Sequence, residues 1–150
     1  MINIEPIIRK TVENDIEAVY QLINELEDCI FDFDKFRSLY LKNYTHADFH
    51  YYVAEIQNKI VGFISINFQY PLHHCGRIAE IQELIVNENY RNLKIGNALI
   101  DVAKKIAQEN HCDTLELSSR FKRIDAHRFY EREGFQKTHF KLLQKINIKN

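Results

Sequence analysis

Apolar and polar positions along this 150-residue chain follow two periods, one helical and one strand-like. Ile16, Val19, Tyr20, Ile23 and Leu26 recur at helical spacing behind Asn14-Asp15-Ile16-Glu17. There Asn14 reads as the cap and Glu17 as the residue reaching back. A second helix is expected from about Asp34, carrying Phe36, Leu39, Tyr40 and Leu41. Ile95, Leu99, Val102, Ala103 and Ile106 give a longer helix over 96–110 one apolar face. A further helix is expected over 125–133, with Gly134 placed to stop it. Strand formers dominate residues 2–11, 51–56, 60–66, 78–86, 114–118 and 135–146. Gln57-Asn58-Lys59 is short enough to close a hairpin between the second and third of these. The expected order is β-α-α-β-β-β-α-β-α-β. It mixes antiparallel hairpins with one βαβ crossover, so the class is α+β, or mixed α/β.

Composition narrows the picture without deciding it. The length suits one domain over residues 1–150, and no repeat, linker or low-complexity tract divides it. A net charge of −1 argues against general nucleic-acid binding, and no recognition-helix motif with a basic face stands out. Cys29, Cys75 and Cys112 are odd in number and widely spaced, which argues against a disulfide framework or a four-cysteine zinc site. The N-terminus lacks a basic flank followed by a long apolar run, and no stretch reaches membrane-spanning length. The expectation is a cytoplasmic protein with reduced thiols and no membrane partner.

The chemistry concentrates after the strand that ends in Glu83-Leu84-Ile85-Val86. There Tyr90-Arg91-Asn92-Leu93-Lys94-Ile95-Gly96-Asn97 forms a short basic turn that runs into the long helix. A helix start aims backbone N–H groups outward, and Arg91 and Lys94 add positive charge to it. The segment reads as an anion cradle suited to pyrophosphate.

Three segments give the chain a resemblance to the GCN5-related N-acetyltransferase superfamily. Ile8-Arg9-Lys10-Thr11 followed by Asp15 is similar to the family's opening strand and helix. Leu84 to Val86 with Arg91 to Gly96 resembles its acetyl-CoA motif, Q/R-x-x-G-x-G/A. Ala126-His127-Arg128-Phe129-Tyr130-Glu131-Arg132-Glu133-Gly134-Phe135 resembles its late A-x-x-F-Y-x-x-x-G-F motif. A narrower similarity, to the bacterial aminoalkylphosphonate N-acetyltransferases, rests on four runs. They are Leu72-His73-His74, Glu80-Ile81-Gln82-Glu83-Leu84, the stretch from Lys122 to Tyr130, and the first-helix run from Ala18 to Leu26.

The resemblance implies a GNAT fold, with a mostly antiparallel sheet and a splayed parallel strand pair at the cofactor site. It also implies acetyl-CoA as co-substrate, a small-molecule amine as acceptor, and a homodimer. Leu84, Ile85 and Val86 would bond the pantetheine arm, and Arg91, Asn92, Leu93, Lys94, Ile95, Gly96 and Asn97 the pyrophosphate. Tyr130 would protonate the departing thiolate. A base must also deprotonate the amine, and Glu80 or Glu83 could act directly or through water. Three positions apart, these two lie on opposite faces of a regular strand, unless the family's splayed strand carries a bulge.

Arg77, Arg120, Lys122 and Arg123 are of the type that grips a phosphonate bidentately. The narrower similarity also suggests a divalent metal near the substrate. Adjacent His73 and His74 would point opposite ways on a strand, so a turn is the expected role for that pair. Cys75 has no activating partner in sight. Three departures from the family pattern stand out: relatives usually carry glycine where this chain has Lys94, often glycine where it has Asn92, and commonly asparagine where it has Arg123. Asparagine tolerates a left-handed backbone, whereas lysine there would be strained. Rival expectations are acetylation of a protein N-terminus, lysine or polyamine, and a non-catalytic acyl-CoA-binding module.

Overall fold

The computed structural model describes residues 5–147, in two compact units, one running through Leu117 and the other starting at Ser118. In the first unit, strand β1 (Ile7–Lys10) leads to helix α1 (Ile16–Glu27) and helix α2 (Phe33–Tyr44). Strands β2 (Phe49–Ile56), β3 (Lys59–Gln69) and β4 (Ile78–Val86) follow, then helix α3 (Ile95–Glu109) and strand β5 (Leu115–Leu117). The sheet order is β1-β2-β3-β4-β5, antiparallel except for the parallel pair β4–β5. This is the expected α+β class, with α3 as the crossover. The first residues of the strand expected over 2–11 lie outside the described residues.

Local chemistry explains where elements begin. The α1 start differs from expectation: a 3-10 turn, Glu13–Asp15, precedes it, and Asp15 rather than Glu17 reaches back. Asp15 Oδ2 accepts the Val12 N–H at 2.8 Å and also pairs with Arg9 at 2.8 Å, while Arg9 Nε reaches Glu55 at 3.0 Å. The Asp15 carboxylate thus closes the turn ahead of α1 and ties it to β1, and Arg9 carries the link on to β2. Helix α2 starts a residue earlier than expected because Asp32 caps it, accepting the Lys35 N–H at 2.9 Å. The β2–β3 hairpin turns on two residues, Gln57 (φ 48°) and Asn58 (φ 64°), and Lys59 joins the strand. Positive φ at both central positions matches the right-handed twist of the flanking strands.

Each sheet face has its own cover. On one, Val53, Phe63 and Ile85 pack with Ile16, Val19 and Leu22 of α1 and Tyr40 of α2. On the other, α3 lies against β3 so closely that a Cβ on Gly62 would sit 3.2 Å from Leu99 and 3.3 Å from Ile95. A side chain there would need those neighbours to give by a few tenths of an ångström.

The second unit holds α4 (Ile124–Arg132) and a C-terminal segment. Gly134 (φ 98°) ends the helix as expected, and the Phe135 N–H returns to the Tyr130 carbonyl at 3.0 Å. The strand expected over 135–146 is not formed: no residue from 135 to 147 pairs in a sheet. Phe140, Leu142, Leu143 and Ile146 are exposed there. Strand propensity describes a surface that suits a ladder, and a ladder still needs a neighbour.

Candidate active site

Strand β4 is paired on both edges for only part of its length. Toward β5 the partners are Ala79↔Leu115, Glu80↔Glu116 and Ile81↔Leu117, and there the parallel pairing stops. Toward β3 the pairing continues to Gly62↔Val86. Beyond Ile81, β4 therefore presents one edge of backbone N–H and C=O groups that no strand takes up among the described residues. Such groups need partners, and an extended amide-bearing chain laid alongside can supply them. Leu84, Ile85 and Val86, the residues expected at the pantetheine arm, stand on this open edge.

The register of β3 and β4 also breaks. Ser65 faces Glu83 but Ile66 faces Ile81, so Gln82 is an extra residue. This bulge settles the geometry of the two acids. Glu80 pairs with Asn67 and Glu83 with Ser65, two positions apart on β3 and so on one face. That face is the one α1 and α2 cover, since Phe63 and Ile85 pair on it too.

The two carboxylates have different surroundings. Glu83 accepts from the Ser65 hydroxyl, whose oxygen in turn accepts the Glu83 N–H at 3.0 Å. Burial pushes the Glu83 carboxyl above the usual carboxylate range; the Ser65 bond opposes this and nearby Glu27 adds to it. Across the sheet, Tyr51 is likewise pushed up by burial, takes a hydrogen bond from Asn43 at 3.0 Å and feels the Glu83 charge. Glu80 is half-buried, and its Oε1 accepts from the amide of the bulge residue Gln82 at 2.9 Å.

At the far end of β4 a 3-10 turn, Glu88–Tyr90, leads into the cradle. Asn92 (φ 64°) and Lys94 (φ 60°) are both left-handed, the two turn positions singled out above for the absence of glycine. Lys94 is also the residue before α3, and the helical ladder starts with the Ala98 N–H on its carbonyl at 3.1 Å. The N–H groups of the first helical turn thus lie ahead of the ladder, where an anion can be held. The side chains of Arg91, Asn92, Leu93 and Lys94 are exposed, Ile95 is buried, and Gly96 and Asn97 are half-buried. Arg91 Nη2 stands 3.8 Å from Glu25 of α1, whose carboxylate also accepts the Glu88 N–H at 3.1 Å. Helix α1 thereby braces the loop.

Not every expected residue joins this cluster. Arg77 lies on the opposite side of the sheet, its guanidinium 5.2 Å from the Phe68 ring and 5.5 Å from Tyr70. Its Nη1 donates to the Asn110 carbonyl at 3.0 Å, closing the end of α3. These contacts tie Arg77 to β3 and to the end of α3. His73 and His74 occupy a 3-10 turn, Leu72–His74, as expected, with His74 3.7 Å from Glu116. Among the described residues no three His, Cys, Asp or Glu side chains gather in a way that would hold a metal ion.

In the second unit, Tyr130 packs edge-on to Phe135, with ring centroids 5.9 Å apart, and beside Phe129 at 5.4 Å. Burial pushes its phenol above the ordinary tyrosine value and Arg123 pulls it down, so it is protonated at neutral pH. Arg123 precedes α4 and is exposed; the Arg120 carbonyl accepts its N–H at 3.1 Å and meets His127 Nε2 at 2.8 Å.

Sequence reasoning passed over Ser65, Gln82, Asn43 and Tyr51. Ser65 did carry a signal, as a lone hydroxyl inside the apolar run Ile64-Ser65-Ile66. A bulge in this strand was raised by the family resemblance, but its place at Gln82 had no signal, because register is a property of two strands.

An open sheet edge thus leads toward a helix start whose first N–H groups can hold an anion. Residues 16–135 match the acetyltransferase (GNAT) family. The chain is 38% identical over 139 residues to the aminoalkylphosphonate N-acetyltransferase of Salmonella typhimurium, covering 93% of this chain and 90% of that one. Two solved structures share the fold. A transcriptional regulator from Bacillus halodurans C-125 superposes with a TM-score of 0.87 at 23% identity, over 95% of this chain and 100% of the other. Glucosamine-6-phosphate N-acetyltransferase from Arabidopsis thaliana gives 0.81 at 17%, over 95% and 99%. The chain belongs to the GNAT acetyltransferase family. It is an acetyl-CoA-dependent N-acetyltransferase.

Proposed function

We propose that the acceptor is the primary amine of an aminoalkylphosphonate, acetylated by direct transfer within a ternary complex. The observation that carries this reading is the 38% identity, spread over nearly the whole of both chains, to a relative named for that acceptor. Acetyl-CoA lies with its pantetheine arm along Leu84 to Val86 and its pyrophosphate at Arg91 to Asn97. An alkylammonium is charged at neutral pH and cannot attack until it loses a proton. Glu80, whose carboxylate is the more open of the two, takes that proton directly or through a water. The amine nitrogen then bonds to the thioester carbonyl carbon and gives up its second proton to solvent, the C–S bond breaks to leave a neutral amide, and the sulfur departs with the electron pair as thiolate. Tyr130 supplies its proton. Arg120 and Arg123 carry the guanidinium chemistry that grips a phosphonate.

Purified protein assayed with acetyl-CoA against (aminomethyl)phosphonate, spermidine and a lysine peptide tests the acceptor. The expected result is a kcat/KM for the phosphonate at least 100-fold above the others. Equal rates, or a preference for the polyamine or peptide, would overturn the assignment.

A further inference from the structure

Ser65 sits within the most apolar stretch of β3 and is 2% exposed. A hydroxyl so placed must find partners inside the protein. It finds both on one residue, accepting the Glu83 backbone N–H at 3.0 Å and donating to Glu83 Oε2. A hydroxyl has one proton to give and two lone pairs, so the two bonds coexist. They fall at the register break, where Ser65↔Glu83 gives way to Ile66↔Ile81 and Gln82 is left over. A bulge disrupts the ladder locally and leaves backbone groups in search of partners. Here a side chain from the neighbouring strand takes one of those donors and holds the carboxylate above it.

We propose that Ser65 is a positioning residue, whose hydroxyl clasps Glu83 by backbone and side chain together and so fixes the β4 bulge. The clasp has two consequences along β4. It keeps Glu80 on the face shared with Glu83, since a one-residue slip would turn Glu80 toward α3. It also sets where the open edge of Leu84, Ile85 and Val86 begins. The inference rests on the reading of Glu80 as the base. Glu83 on this account shapes the site and need not touch the acceptor.

Ser65→Ala removes the clasp with little change in volume. Hydrogen exchange at the Glu83 amide reads the bulge directly and needs no acceptor, while kcat is read with whichever amine the acceptor panel selects. The expected result is exchange at least tenfold faster at Glu83, unchanged protection within α3, and kcat lowered at least tenfold. Ser65→Thr, which keeps the hydroxyl, should restore both. Wild-type exchange or wild-type kcat in a folded Ser65→Ala variant overturns the proposal. If the alanine variant does not fold, Ser65→Cys, a weak hydrogen-bonding group of similar size, is read by the same two measurements. Full activity in Glu80→Gln sinks the base assignment beneath the proposal. An inactive Glu80→Gln beside a fully active Ser65→Ala sinks the clasp alone.

Discussion

The two ends of strand β4 share a backbone and little else. From Ala79 to Ile81 the strand is held on both edges, by β3 and by β5, and Ile78, Ala79 and Ile81 are buried. From Glu83 to Val86, among the described residues, it pairs with β3 alone and no strand takes up its other edge. The closed end is satisfied by its neighbouring strands, whereas the open end is the stretch proposed above to meet the pantetheine arm. Glu80 stands in the closed half, one residue before the ladder ends, and so combines a rigid backbone with access to the opening. The contrast teaches that a single strand supplies both precision and vacancy, provided something fixes the point of change. That point is the bulge at Gln82.

The sharpest way to break this comparison is Glu80→Gln. If the base stands where closed strand meets open edge, kcat should fall by about 10²–10⁴-fold with the KM for acetyl-CoA little changed. A loss below threefold would place the base elsewhere. Arg77→Ala probes the closed end from the other face. Losing a charged hydrogen bond and two ring contacts should destabilise the fold by about 2 kcal/mol in denaturant titration, with the acceptor KM unchanged. A tenfold rise in that KM would return Arg77 to the substrate.

Glu83→Gln tests the open end by stability. Burial raises the carboxyl's pKa in the folded state above its unfolded value, so the folded protein binds the proton more tightly. Stability from this group is therefore full below the carboxylate range and declines as pH rises through it. At pH 7 the glutamine variant should melt a few degrees higher than the parent, and the gain should vanish near pH 4. A gain that persists in acid would show that charge burial is not the cause. The smallest effect concerns Lys94, which is left-handed at φ 60°. Lys94→Gly relieves a strain of about 1 kcal/mol, offset in part by the added freedom of the unfolded chain. Thermal unfolding should show a net gain of a few tenths of a kcal/mol, and a net loss would mean that the lysine side chain supports the cradle.

Much of this was legible in one dimension. The bounds of β4, the cap at Gly134 and the hairpin at Gln57-Asn58 are local facts, set by apolar runs and by residues that tolerate positive φ. The turn before α3 was legible for the same reason, and the missing glycines marked the two residues that prove left-handed. Long-range features were not. No pattern in 78–86 says that Glu80 and Glu83 share a face, since that depends on where β3 places Ser65. Arg77 has the composition of an anion ligand, yet Phe68, Tyr70 and Asn110 claim it, and only the fold brings those three together. The segment 135–146 has strand composition and no ladder, because pairing belongs to two segments and the sequence displays one.

Gly62 makes the molecule sensitive to a single carbon atom. Leu99 and Ile95 close on it from α3, and Ile95 opens the same helix whose first turn forms the cradle. A methyl group at position 62 would act as a wedge beneath that helix, far from any phosphate. Its first symptom would be a misaimed grip on the donor rather than a damaged catalyst. The tolerance of the cofactor site is thus written partly on the floor of the core, in the width of one absent side chain.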